Sequence, residues 1–176
     1  MEKNDIEKTL VEGNKSYIEK IKSNKEKHIL VKNLVGGQHP FVLIITCSDS
    51  RVIPEEIFDK SLGDLFVIRT AGNVINEGEL ASIEYGIEHL HIEYVLILGH
   101  THCGAVHAAM HHEKGKYLGA ILDNISNNVC NCKSEEEASI CNAKAQAEFI
   151  KSKFPSYTGL IKYGLYDIET NEVKIY

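Results

Sequence analysis

Phe41-Val42-Leu43-Ile44-Ile45-Thr46 decides the fold class. The run is short, rich in β-branched residues and apolar up to Thr46, and it follows a break at Gly36-Gly37. An apolar run of this length without polar alternation suits a strand buried on both faces, as in a parallel sheet. Leu65-Phe66-Val67-Ile68 and Tyr94-Val95-Leu96-Ile97-Leu98 read the same way. Between these two, Leu80, Ile83, Ile87 and Leu90 recur at helical spacing, which predicts a helix over 79–91 and a strand–helix–strand unit with a right-handed crossover. The expected fold class is therefore α/β, with a mostly parallel central sheet and flanking helices.

Working outward, a helix is predicted from Cys103 to about His112. Another starts at the cap Ser134, closed by Glu137, and runs through Ile140, Ala143, Ala147 and Ile150. Leu160, Tyr163 and Leu165, a turn near Asn171, then Val173 and Ile175 predict a C-terminal antiparallel edge hairpin. Residues 1–33 are rich in Lys and Glu, with Ile6, Leu10, Tyr17, Ile18 and Ile21 near helical spacing and a capping box at Asn4 and Glu7. They read as an N-terminal helical arm with a thin apolar stripe. No repeat or linker interrupts the chain, so a single domain is expected over 1–176, with the arm at 1–33 and the α/β core at 38–176.

Composition narrows the function classes. The 176 residues are 43% hydrophobic and 25% charged with a net charge of −6, a globular balance without the basic surface that nucleic acid or an anionic membrane would need. The longest apolar run, Phe41 to Ile45, is far short of the roughly 20 residues of a membrane span. The first residues carry no apolar leader, so the cytoplasm is the expected compartment. Five cysteines form no small disulfide framework; in a reducing compartment they are core fillers, metal ligands or nucleophiles.

Ligands of open parallel sheets bind beyond the carboxyl ends of the strands. The first predicted strand runs into Cys47-Ser48-Asp49-Ser50-Arg51, and the third into Gly99-His100-Thr101-His102-Cys103-Gly104. If those strands are neighbours, Cys47, His100 and Cys103 converge. Two thiolates and an imidazole form a soft, zinc-suited set, and three protein ligands leave one tetrahedral position open, as in a catalytic site. Gly99 and Gly104 would let the backbone approach the metal. A phosphatase-type loop needs an arginine six positions after its cysteine, where this chain has Ile53, and no glycine-rich nucleotide loop is present.

Cys-x-Asp-x-Arg at 47–51 with His-x-x-Cys at 100–103 resembles the β-class carbonic anhydrases. The similarity extends through Pro54-Glu55-Glu56-Ile57-Phe58-Asp59, Gly63-Asp64-Leu65-Phe66-Val67-Ile68-Arg69, Ala71-Gly72-Asn73, Ser82-Ile83-Glu84-Tyr85 and Gly164-Leu165-Tyr166-Asp167. The resemblance implies zinc-dependent, reversible hydration of CO2 to bicarbonate and a proton by zinc-bound hydroxide. One Zn2+ per chain would be held by Cys47, His100 and Cys103. It implies catalytic roles for Asp49, which would orient the attacking oxygen, and Arg51, which would hold Asp49. Gln38, Phe66 and Tyr85 match pocket positions of the plant-like, open-site branch, and Gly104 completes the expected substrate-binding set. In a minority form of the family the carboxylate at position 49 closes onto the zinc, and a tryptophan stands three residues before the first ligand. Here that residue is Ile44 and the chain has no tryptophan, although Arg69 matches the arginine of the same pocket, so an open site is expected.

The resemblance also implies a homodimer or dimer-based tetramer with the arm wrapped across its partner, CO2 and bicarbonate as small-molecule partners, and no nucleic acid or membrane. A COS or CS2 hydrolase on the same scaffold is the alternative, and a non-enzymatic sensor would have been expected to lose Asp49 or Arg51. Cys130, Cys132 and Cys141 lie outside the family pattern and read as free thiols. His107, His111 and His112 read as a solvated face or, for one of them, a proton shuttle. His102 reads as supporting the ligands or facing solvent.

Overall fold

The computed structural model describes residues 3–176, with side chains from Ile6 onward. Two compact units emerge, residues 1–38 and 39–176. The first is a pair of helices, α1 (Lys3–Ser23) and α2 (Lys25–Leu34), rather than one continuous arm. The break falls at Asn24, whose side chain accepts from the Lys27 N–H at 3.0 Å and so caps α2. Ile6, Leu10, Val11, Tyr17 and Ile18 are exposed, and of the apolar stripe only Ile21 is buried. The capping box expected on Asn4 rests on a side chain outside the described ones.

The second unit holds a five-stranded sheet in the order β2-β1-β3-β4-β5, made of β1 (Val42–Cys47), β2 (Leu65–Thr70), β3 (Tyr94–His100), β4 (Leu160–Tyr166) and β5 (Val173–Ile175). The first four are mutually parallel and β5 returns antiparallel on β4. Only β5 therefore departs from the parallel sheet; β4, the first arm of the expected hairpin, pairs with β3 as an ordinary parallel member. Asn171 turns the hairpin in the left-handed region, at φ 62°. β1 is buried along its whole length, which is why its sequence shows no alternation.

The crossover from β2 to β3 passes over β1 by way of α4 (Glu77–Glu84), which continues as a wider π-type turn at Tyr85–His89. Asn76 and Glu79 close a capping box at its start, two residues earlier than the periodicity predicts. A Cβ on Gly86 would lie 2.6 Å from Leu43 Cδ1, so glycine lets this turn rest on β1. α7 (Glu135–Lys153) lies with α4 on one face of the sheet, and Ile83, Ile87, Ala143, Ala147 and Ile150 pack there on Leu43, Ile45, Val95 and Ile97. The opposite face is covered by α3 (Pro54–Ile57), a single turn, and by the chain ends of the sheet. A groove of about 340 Å3 remains there, lined by Phe41, Val42, Ile44, Phe58, Leu65 and Leu96 among others.

α5 (Gly104–Met110) is shorter than expected at both ends, with Cys103 as its N-cap residue. α6 (Gly119–Val129) is a helix that the sequence reading left unassigned. Its Leu122, Ile125 and Val129 pack with Val106 and Ala109 of α5 and with Ala138 of α7 in a cluster that also contains Cys47 and Cys103. No helix among the described residues is long and apolar enough to cross a membrane.

Candidate metal centre

The site forms where two neighbouring parallel strands end. Cys47 is the last residue of β1, His100 the last of β3, and Cys103 sits at the entry of α5. Thr46 ties the two strands by donating its hydroxyl to the Leu98 carbonyl at 2.8 Å. One ligand atom from each of Cys47, His100 and Cys103 lies within 4.8 Å of the other two, and all three residues are buried. The two sulfurs are 3.9 Å apart.

His100 is oriented for coordination. Its Nδ1 donates to the Thr101 carbonyl at 2.8 Å, which leaves Nε2 as the lone-pair nitrogen. That Nε2 is buried and has no hydrogen-bond partner among the described residues. An unpaired buried acceptor costs about 1–3 kcal/mol, a deficit that a cation bound at this atom would remove. The donor set, two sulfurs and an imidazole with a fixed tautomer, fits zinc.

The sulfurs are prepared unequally. Cys47 is drawn well below the usual thiol range, chiefly by the hydrogen bond from Cys103; burial opposes this, and the N–H groups of Asp49 and Gly72 reinforce it. Cys103 is pushed up by the same pairing and by burial. The two thiols are thus unequal, Cys47 being the more acidic of the pair.

Next to this corner, Asp49 is clamped by Arg51. The guanidinium donates from Nε to Oδ1 at 2.9 Å and from Nη2 to Oδ2 at 2.8 Å, and the Arg51 N–H adds a third bond to Oδ1 at 3.0 Å. Those side-chain bonds are the main reason the Asp49 carboxyl is held well below the ordinary carboxylate range. Arg51 Nη2 also reaches the His102 carbonyl at 3.1 Å, linking the two ligand-bearing loops. Arg69 braces the first loop from the other side, donating to the carbonyls of Cys47 at 3.2 Å and Asp49 at 2.6 Å.

The remaining expected residues fall at varying places. Phe66 and Tyr85 meet each other, with ring centroids 6.2 Å apart, and Tyr85 stacks on His89. Gly104 is exposed beside Cys103, with open space where a side chain would point. Gln38 closes the first unit and is exposed. Gly99 has a packing reason instead of a metal-approach one, since a Cβ there would meet the Ser139 carbonyl of α7 at 3.0 Å. His102 turns outward to Glu169, at 2.9 Å. His107 pairs with Glu135 and stacks on His111, both histidines being exposed.

One contact to Cys47 is absent from the sequence-based expectations. The Gly72 N–H donates to Cys47 Sγ at 3.3 Å, from a glycine in the left-handed region at φ 62°. The signal available in sequence was the glycine of Ala71-Gly72-Asn73, whose backbone role emerges only once the loop is seen beneath β1.

A family model described as carbonic anhydrase matches residues 42–173. A solved β-carbonic anhydrase, CcaA, superposes with a TM-score of 0.81 over 96% of this chain and 86% of its own, at 31% identity. The chain belongs to the β-class carbonic anhydrase family. Carbonic anhydrase 2 of Mycobacterium tuberculosis is 43% identical over 104 residues, which is 58% of this chain and 50% of that protein. The chain thus matches about half the length of that curated relative. Structures described as tetrameric β-carbonic anhydrases from Sordaria macrospora share the fold, with a TM-score of 0.82 over 98% of this chain and 97% of theirs, at 24% identity. The family match spans Cys47, Asp49, Arg51, His100 and Cys103, and with them the whole corner where β1 and β3 end.

Proposed function

We propose that this β-class carbonic anhydrase hydrates CO2 reversibly to bicarbonate and a proton, with Cys47, His100 and Cys103 holding one zinc ion per chain. The observation that carries this reading is His100 Nε2, buried and unpartnered and facing two cysteine sulfurs beside a clamped carboxylate. Zinc held there would supply a nucleophile by acidifying water, less strongly than the ~7 of a three-histidine site, because two thiolates already cancel its charge.

Asp49 does the orienting. Held ionised, it can only accept, so it takes a hydrogen bond from the attacking oxygen and turns that oxygen's lone pair toward CO2. Arg51 occupies both carboxylate oxygens, and this supports an open site in which Asp49 stays on the arginine and off the metal. The buried Ile44, where the closed form has tryptophan, supports the same reading. Phe66 and Tyr85, with Gln38 and Gly104, are proposed to form the small, largely apolar pocket for CO2.

The assembly is proposed to be a homodimer or a dimer-based tetramer. Two apolar surfaces support it: the stripe of Ile6, Leu10, Tyr17 and Ile18, and the groove on Val42, Ile44 and Leu96, which the arm of a second copy would cover. The free state of all five cysteines fits the reducing cytoplasm as the place of action.

Stopped-flow CO2 hydration on zinc-quantified protein, from about pH 6.5 to about 9, tests the function. Fast hydration that rises smoothly into alkaline pH is expected. A steep collapse below about pH 8 would instead indicate Asp49 closing on the metal. No hydration by protein carrying one zinc per chain would overturn the reading and turn the assay to COS and CS2.

A further inference from the structure

Behind the metal corner lies a cluster of side-chain amides that reaches the Ala71–Ile75 loop at two points. Asn142, on the inner face of α7, is fully buried, and Gln146 one turn later is nearly so. Asn142 Nδ2 donates to the Gly72 carbonyl at 2.8 Å. Its Oδ1 accepts from Asn128 Nδ2 at 3.0 Å and from Gln146 Nε2 at 3.4 Å. Gln146 donates further to Asn124 Oδ1 at 2.7 Å, and its Oε1 accepts from the Ile75 N–H at 3.1 Å. The loop is thus gripped at Gly72 and again at Ile75 by two residues of one helix, which α6 steadies through Asn124 and Asn128. The amide orientation follows from the partners: the Gly72 carbonyl can only accept, so the Asn142 nitrogen must face it.

We propose that Asn142 is a positioning residue of the metal centre: it fixes the Gly72 backbone so that the Gly72 N–H stays on Cys47 Sγ. The proposal rests on the reading of Cys47 as a metal ligand. Gly72 joins the two sites: its N–H touches the sulfur at 3.3 Å, and its carbonyl is the group Asn142 holds. Gly72 has little freedom to find another pose. Its φ is 62°, and the space where a Cβ would stand is filled by Ile125 Cδ1 at 2.7 Å and Ala105 Cβ at 3.1 Å. A half-satisfied amide cluster is worse than an apolar one, whereas a satisfied cluster fixes a single geometry. Here that geometry ends on a ligand sulfur. An N–H aimed at the sulfur sets the direction of Sγ and draws electron density from it, and partners of this kind behind a ligand tune its hold on the metal.

The test uses the full chain loaded with zinc and, in parallel, with Co2+, whose thiolate charge-transfer absorption reports on the sulfur itself. Asn142→Leu keeps the volume and removes the donor. The expected result is one bound metal, a charge-transfer band moved to lower energy, and zinc lost to a chelator about 10–100-fold faster than from wild type. Ser139→Ala is the control: Ser139 shares the buried face of α7 and its Oγ has no partner, so its loss should move neither readout. Asn128→Ala, which removes one bond to Asn142 from a partly buried position, should move both in the same direction by less, and it decides the matter if Asn142→Leu does not fold. A folded Asn142→Leu with the wild-type band and release rate overturns the proposal, as do equal effects from Ser139→Ala. Wild-type protein that takes up no Co2+, or Cys47→Ser protein that binds it as wild type does, overturns the metal reading and this proposal with it.

Discussion

Cys47 and Cys103 belong to the same apolar cluster against which Cys132 and Cys141 pack, yet the two pairs meet different surroundings. Around the first pair stand an imidazole with a free nitrogen, an amide N–H pointed at sulfur and a helix entry at Cys103. Around the second are burial, the neighbouring Cys141 thiol and the carboxylate of Glu137, and Cys132 is pushed up to about 12, burial being the largest cause. Thiols of one chemical type thus stand in a group that could hold a metal in one place and, among the described residues, outside any such group in the other. Donors aimed at sulfur make the difference, because burial alone, which is greater around Cys47 and Cys103, would push a thiol up and not down.

The largest effect that could break this contrast comes from exchanging single sulfurs. Cys47→Ser should abolish stoichiometric zinc binding and lower CO2 hydration by more than the roughly 10–100-fold that loss of a supporting residue costs. Cys132→Ser should leave both within experimental error. Zinc content by atomic emission together with stopped-flow rates decides the point, and equal losses in the two variants would erase the distinction.

Next in size is Asp49→Asn, which keeps the shape and removes the charge. It should retain one zinc per chain and lose about 10–100-fold in hydration rate, with Arg51→Ala following in the same direction. Loss of zinc in Asp49→Asn would mean that the carboxylate belongs to the metal site itself, as in the closed form.

A smaller effect lies in thiol labelling of the zinc-loaded protein. Alkylation follows the thiolate fraction, so a thiol near 12 should label at a rate that keeps climbing with pH well past the ~8.5 of a free cysteine, with no plateau there. Peptide mapping of alkylated Cys132 across pH measures this, and a plateau near 8.5 would contradict the description of its surroundings.

The smallest is an internal reference for burial without chemistry. Tyr157 donates its hydroxyl to the Ile92 carbonyl at 3.0 Å and is pushed up to about 12, burial coming first and the Glu93 charge second. Because the folded value exceeds the unfolded ~10, the contribution is fully present below pH 10 and is lost as pH rises from there through about 12. Absorbance at the phenolate band during alkaline titration should show Tyr157 ionising late; Tyr157→Phe should remove that late step.

Much of this corner was legible in sequence because its determinants are local. Strands such as Val42–Cys47 and Tyr94–His100 announce themselves by continuous apolar runs, and the candidate ligands Cys47 and His100 stand at their ends. That β1 and β3 are neighbours was the one condition left open, and the strand order supplies it. What escaped depends on partners distant in sequence. α6 carries Leu122, Ile125 and Val129 at helical spacing, but Asn124, Asn127, Asn128 and Ser126 weaken its intrinsic preference, and its half-buried amides Asn124 and Asn128 find partners on α7. The inner face of α7 looked like alanine and isoleucine, whereas Asn142 and Gln146 are buried on it too, since a buried amide is recognisable only by what it bonds. The break at Asn24 was hidden by helix-favouring Lys and Glu on both sides.

X-ray absorption at the zinc edge of the wild-type protein tests the central claim most directly. The account predicts two sulfurs at about 2.3 Å and one imidazole nitrogen at about 2.0–2.1 Å, with an exchangeable solvent oxygen as the fourth neighbour. Cys47→Ser should remove that pattern. A zinc bound without sulfur, or a two-sulfur shell that survives in Cys47→Ser, would contradict it.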